Sequence, residues 1–163
     1  MSVSYFIPDL APEDLHRCEE IVRRSRFIVS LAHTPTPEAA KSFIERIKQE
    51  FPDATHNCWA YAAGAPGQTS KVGYSDDGEP HGTAGRPMLT MLLHGGVGEL
   101  SAVVTRYFGG IKLGTGGLVR AYPGLVKLGP ETLPPTVNLL PARVEGVPDS
   151  PLITVLPRLL PDN

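Results

Sequence analysis

The stretch VVTRYFGGIKLGTGGLVRAY, Val103 to Tyr122, decides how the chain is read. An apolar run with β-branched residues ends in Arg106-Tyr107-Phe108, and Val103-Val104 at its centre read as a strand buried on both faces. Gly109, Gly110, Gly114, Gly116 and Gly117 then crowd a loop. A helical segment carrying Arg120 follows, expected to begin near Gly116. The spacing is not GxGxxG, because Val119 stands where the third glycine belongs. Nor is it a Walker A loop, because Gly114 is followed by Thr115-Gly116 rather than Lys-Ser/Thr. A strand feeding a glycine loop and a helix start still offers free backbone N–H groups to an anion.

Charge singles out the same region. The chain carries a formal net charge of -2, so no global attraction to nucleic acid or membranes is expected. Between Leu100 and Pro130, however, Arg106, Lys112, Arg120 and Lys127 occur with no Asp or Glu. Tyr107, Phe108 and Tyr122 interleave with them, as base stacking beside phosphate contact would require. Arg106, Lys112 and Arg120, backed by the amides of Gly114, Gly116 and Gly117, are therefore the candidate phosphate or RNA contacts. The plain alternative makes the aromatics core and the cations solvated.

Upstream, SDDGEPHGTAGRP places Asp76, Asp77 and Glu79 within four residues. They suit a turn, since Asp-Gly favours positive φ and Asp side chains bond nearby amides. They also suit a divalent cation or a general base, although Gly73 and Ser75 rule out an EF-hand. Gly82-Thr83-Ala84-Gly85 then leaves backbone bare before a helix, a place that admits a ligand phosphate. Three arrangements follow. The glycine loop contacts RNA, or the two loops share a cleft around a phosphate ligand or Mg²⁺, or Arg106 or Arg86 pairs with the acidic loop and braces it.

The rest of the pattern is α+β, with helices on one side of a sheet of mixed pairing. A strand is expected from about Val22 to Ala32, with Leu15, Cys18 and Val22 alternatively one side of a short helix. TPEAAKSFIERIKQEF reads as a helix: Thr36 caps it, Pro37 opens it, and Ala40, Phe43, Ile44, Ile47 and Phe51 share a face. HNCWAYAAG alternates as a strand, with SKVGYS as its hairpin partner. PMLTMLLHGG reads as a buried helix opened by Pro87 and closed by Gly95. Cys18 and Cys58 form no CxxC, and the histidines make no zinc pattern, so no metal and no cofactor is expected. No signal-peptide pattern and no run of about 20 apolar residues is seen, so no membrane partner and a cytoplasmic location are expected.

SRFIVSLAH, HNCWAYAAGAP, YSDDGEPHGTAGRPML and GVGELSAVVTRYFGGIKLGTGGLVRAY together resemble the IMPACT/YigZ family, its bacterial YigZ branch in particular. The resemblance runs from about Ser25 to Tyr122 nearly without gaps, and Gly82, Thr83, Gly85, Tyr107, Gly109 and Gly110 belong to its motifs. It implies a two-layer α/β sandwich like that of a small-subunit ribosomal protein and of elongation factor G domain IV, with a left-handed βαβ crossover. It also implies a non-enzymatic, translation-associated regulatory protein whose partner is RNA or the ribosome. The resemblance divides the chain into an Impact N-terminal type domain, 1–128, and a proline-rich tail, 129–163. In the tail, PTVNLLPARVEG and SPLITVLPRLL resemble the first strand and helix of a ferredoxin-like domain, which is incomplete here. Pro123-Gly124 interrupts a helix that is normally continuous in the family.

Overall fold

Strand β6, Leu100–Tyr107, is the axis around which the molecule is built. The computed structural model describes residues 2–131 and 137–143. All of β6 but Tyr107 is buried, as its apolar centre predicts. It lies between β3, Ser25–His33, and β4, His56–Ala62, in a five-stranded sheet of order β2-β3-β6-β4-β5. Strand β2 is His16–Val22 and β5 is Val72–Ser75. Every pairing in this sheet is antiparallel, not mixed as the pattern suggested.

The strand expected from about Val22 to Ala32 is present as β3 from Ser25, and the residues before it, alternatively read as a short helix, form β2, its hairpin partner. β2 and β3 pair from His16↔Leu31 to Val22↔Ser25, and Arg23-Arg24 forms the loop between them. Both loop residues have positive φ, 47° and 69°, which matches the right-handed twist of the flanking strands. The turn was missed because arginine is not one of the residues that announces it.

Helix α1, Pro37–Glu50, forms as its sequence dictates. Thr36 Oγ1 accepts the Ala39 N–H at 3.1 Å, and Pro37 and Glu38 occupy the first turn. Ala40, Phe43, Ile44 and Ile47 pack with Ala32, Tyr61, Ala63 and Val103 on one face of the sheet. Each large side chain so buried contributes roughly 1.5–3 kcal/mol.

Helices α2, Gly85–His94, and α3, Gly114–Glu131, cover the other face. Met88, Leu89 and Leu92 of α2 and Leu118, Tyr122, Leu125 and Val126 of α3 enclose Phe27, Val29, Cys58, Ala60 and Val104. The α+β class stands, but the layering differs from the expectation of helices on one side: the sheet carries helix on both faces. Pro123 does not break α3. Buried Tyr122, Leu125 and Val126 hold both sides of it in the core, and that packing outweighs the backbone hydrogen bond that proline cannot make.

The topology accounts for the crossover handedness. β3 and β4 flank β6 and run parallel to each other, while β5 and β6 flank β4 and do likewise. The crossovers β3–α1–β4 and β5–α2–β6 are related by a half-turn in the plane of the sheet, yet their helices lie on opposite faces. One of the two is therefore left-handed, against the usual rule.

A second, two-stranded sheet pairs β1, Ser2–Pro8, with β7, Val137–Arg143, which falls in the expected tail strand. The expected tail helix lies outside the described residues. Tyr5 ties β1 to the main body by donating to Glu99 Oε2 at 2.5 Å, and His33 Nε2 lies 2.8 Å from Glu99 Oε1.

Candidate functional site

The two loops singled out in the sequence meet. Thr55, His56, Gly78, Glu79 and Pro80 line a cleft of about 420 Å³. Arg106, Phe108, Lys112, Gly114, Thr115 and Leu118 complete its lining. The cleft sits where β4 begins and β6 ends, at the start of α3.

Its floor is a buried polar cluster centred on Glu79. Arg106 Nη1 donates to Glu79 Oε2 at 2.8 Å, and the Tyr122 hydroxyl donates to the same oxygen at 2.5 Å. Arg106 Nε reaches Ser25 Oγ at 3.2 Å, and its guanidinium lies over the rings of Phe27 and Phe108. Arg106 is only 5% exposed, so its charge is spent inside the protein. Removing either partner of such a pair leaves a lone buried charge, worth about 3–5 kcal/mol of stability. Burial pushes the Tyr122 phenol up, with Cys58 and Glu79 adding to the effect. His56 Nδ1 lies 2.8 Å from the Asp77 carbonyl oxygen, which can only accept, so Nδ1 carries a proton. Its Nε2 lies 3.3 Å from Glu79 Oε1 and forms an ion pair when it too is protonated.

The other two acidic residues turn away from the cleft. Asp76 Oδ1 accepts from the Ala84 and Gly85 amides at 3.1 and 2.8 Å, and Oδ2 accepts from Gly82 at 2.9 Å. Desolvation opposes ionisation of Asp76, but these three amides outweigh it and hold the carboxyl below its usual range. Helix α2 has no side-chain cap of its own at Ala84, and Asp76 supplies one from a distance. The bare amides expected to receive a ligand's phosphate are thus filled by the protein's own carboxylate. Asp77 Oδ2 accepts from Asn57 N at 2.6 Å. Asp77 and Gly78 have φ of 40° and 86°, the turn that Asp-Gly predicts. Thr83 Oγ1 donates to the Pro80 carbonyl and closes the loop.

The motif glycines are explained by close approach. A Cβ added at Gly85 would lie 2.7 Å from the Ser75 backbone, so α2 can start against β5 only there. A Cβ at Gly109 would collide with the Arg24 carbonyl, so the β2–β3 turn seats on Gly109. Gly110 and Gly114 have φ of 93° and 74°, which turn the loop into α3. Tyr107 is a corner post: its hydroxyl donates to Asp53 Oδ1 at 2.9 Å, and its ring meets Phe51 edge-on.

The expected basic stripe divides. Arg106 is inside. Lys112 is exposed on the cleft, while Arg120 is exposed on a separate groove of about 530 Å³ that also includes Arg23 and Glu20. Leu113 lines both and forms the ridge between them. Gly114, Thr115 and Gly116 of the first α3 turn are exposed between the two cations, with no acidic residue in that turn. Sequence reasoning missed His56, Tyr122 and Ser25 as partners of Glu79 and Arg106. Their separation along the chain hides them, although His56 beside Arg106 follows once β4 and β6 are paired. Cys58 is buried, donates to the Asp76 carbonyl at 3.0 Å, and has its thiol pushed up by burial, so it is no nucleophile.

Comparison with known proteins agrees with the motifs. The model of the Impact N-terminal domain matches residues 23–129. The IMPACT family member YigZ of Escherichia coli (strain K12) is 60% identical over 105 residues, 64% of this chain and 52% of that protein. A solved structure described as that of a hypothetical protein superposes with a TM-score of 0.77 at 50% identity, covering 84% of this chain and 64% of the other. The two-domain translational regulator Yih1 superposes with a TM-score of 0.50 at 23% identity, over 76% of this chain and 48% of that one, a likeness of fold. The chain spans about half the length of the curated relatives it matches.

Proposed function

The chain belongs to the Impact N-terminal domain family, and from that membership we propose that it is a non-enzymatic module of translation control that contacts RNA or the ribosome. The contact surface is the start of α3, where Lys112 and Arg120 would meet phosphates on either side of the Gly114–Gly117 amides. The observation that carries this reading is an exposed, acid-free helix start flanked by exposed cations. The fold neighbour Yih1, described as a translational regulator, supports the wider role. Arg106 has a different part from the one its sequence position suggests. Paired with Glu79, it fixes the Phe108 ring and the loop behind the surface. A protein acting on RNA or ribosomes would work in the cytoplasm.

The rival reading, a phosphate-ligand or Mg²⁺-dependent enzyme, has one observation in its favour, since the acidic and glycine loops share a cleft. Against it, Asp76 and Asp77 are turned onto backbone amides and Glu79 onto Arg106 and Tyr122.

Binding of a labelled single-stranded RNA, followed across a salt series, tests the proposal. Affinity should fall with salt as counterions are released. Lys112→Ala/Arg120→Ala should flatten the log–log slope by about 1.4, roughly 0.7 for each lost contact. No binding at low salt, or an unchanged slope in the double variant, would end this reading.

A further inference from the structure

We propose that the β2–β3 turn is an arginine clamp for the RNA backbone, with Arg23 gripping a phosphate in the groove it shares with Arg120 and Arg24 adding a second contact from the same turn. This rests on the RNA-binding reading above and adds a second element to it.

Three independent features converge on the turn. The first is backbone. A two-residue hairpin loop with positive φ at both positions is the geometry that Asn-Gly adopts without strain, and here both places hold arginine, at 47° and 69°. An L-residue with a long side chain gives up stability in that region, and such strain is kept where the side chain is needed. The second is charge. Arg17, Arg26 and Arg106 are paired with Glu50, Glu19 and Glu79. Arg23, Arg24 and Arg120 are exposed and have no ion pair among the described residues. The third is placement. Gly109 receives the Arg24 carbonyl, so the turn is seated on the loop that leads into α3. Arg23 and Arg120 then line one groove of about 530 Å³ with Val22, Leu113 and Leu125 along it.

Guanidinium groups from two elements facing across a groove suit a chain of phosphates, which arginine binds with paired N–H donors. Glu20 also lines the groove and lowers its attraction for an anion. An extended single strand laid in the groove would touch Arg23 and Arg120 along its backbone, with exposed Arg24 next to it on the turn and Lys112 beyond Leu113.

The turn itself supplies the test. In Arg23→Asn/Arg24→Gly the backbone relaxes, so the melting temperature should rise while affinity for a labelled oligouridylate falls. Its salt slope should flatten by about 1.4, the share of two lost contacts. Arg23→Gln/Arg24→Gln keeps the side-chain length and the backbone demand, and should lose the same affinity without the gain in stability. Glu20→Gln should bind more tightly than the parent chain. If the parent binds and both turn variants bind equally well, the clamp is wrong and the α3 surface alone stands. If polyglutamate competes as well as the RNA does, the groove is a site for acidic protein and the clamp is likewise overturned. If the parent chain binds no RNA at all, the clamp and the functional reading fall together.

Discussion

At the scale of single residues, Asp76 does the most with the least. One carboxylate joins the acidic loop to the start of α2 through three amides, across six to nine positions of sequence. A charged acceptor serving N–H donors at a helix start stabilises more than a neutral one. Asp76→Asn should therefore lower stability by about 1–3 kcal/mol in urea unfolding at neutral pH. The pH dependence has a definite sign. The folded carboxyl lies below its unfolded value near 3.9, so the unfolded chain binds the proton more readily. The contribution is whole above that value and drains away as pH falls through the folded one. The acid limb of the stability curve should be shallower in Asp76→Asn than in the parent chain, and RNA binding at neutral pH should be unchanged. An equally steep acid limb would mean that other carboxylates carry the acid sensitivity. The turn at Asp77-Gly78 was legible from sequence because Asp-Gly has its own local signature. The three-way contact of Glu79 with Arg106, Tyr122 and His56 was legible only in part. Pairing of an arginine with the acidic loop follows from charge, but the choice of Arg106 over Arg86 depends on which strand end faces the loop.

At the scale of elements, α1 illustrates what local chemistry can specify. Its cap, its first-turn proline and its apolar stripe are all in the sequence, and the helix obeys them. Helix α3 illustrates the opposite. Pro123 and Gly124 argue for a break, yet the helix runs through them because its buried face is held on both sides. The missing donor at Pro123 leaves the carbonyl of Val119 without its usual intrahelical partner. Pro123→Ala should restore that bond and raise stability by about 1–3 kcal/mol, with a gain in helical circular dichroism. A loss of stability would show that the proline ring packs to advantage. The strand β2 and the turn into β3 were not legible in the sequence for a related reason. That turn is dictated by pairing with β6 on the far side of β3, not by turn-forming residues. Which face each helix covers was also beyond the pattern, since an apolar stripe says that a helix packs and not on which side.

At the scale of the whole molecule, Tyr5, His33 and Glu99 form the clasp between the two sheets. Glu99 is buried and sits at a positive φ of 56°, a conformation that its surroundings must enforce. Burial opposes its ionisation, but the bonds from His33 and Tyr5 prevail and hold its carboxyl below the usual range. Tyr5→Phe should remove about 1.5–3 kcal/mol, the worth of a hydrogen bond to a charged acceptor. Amides of β1 should exchange hydrogen faster in that variant while those of β6 stay protected. Uniform acceleration throughout the chain would mean that the clasp stabilises the fold as one unit.

The strand order has a consequence for how the chain is made. Strands β3 and β4 emerge from synthesis well before β6, yet they share no ladder, because β6 belongs between them. Until residues 100–107 are available, the nascent chain holds two separate hairpins, β2–β3 and β4–β5, with no strand ladder to join them. The keystone of the sheet is laid after the stones on either side. Its contacts reach far along the chain, so closure must wait for the slowest kind of search.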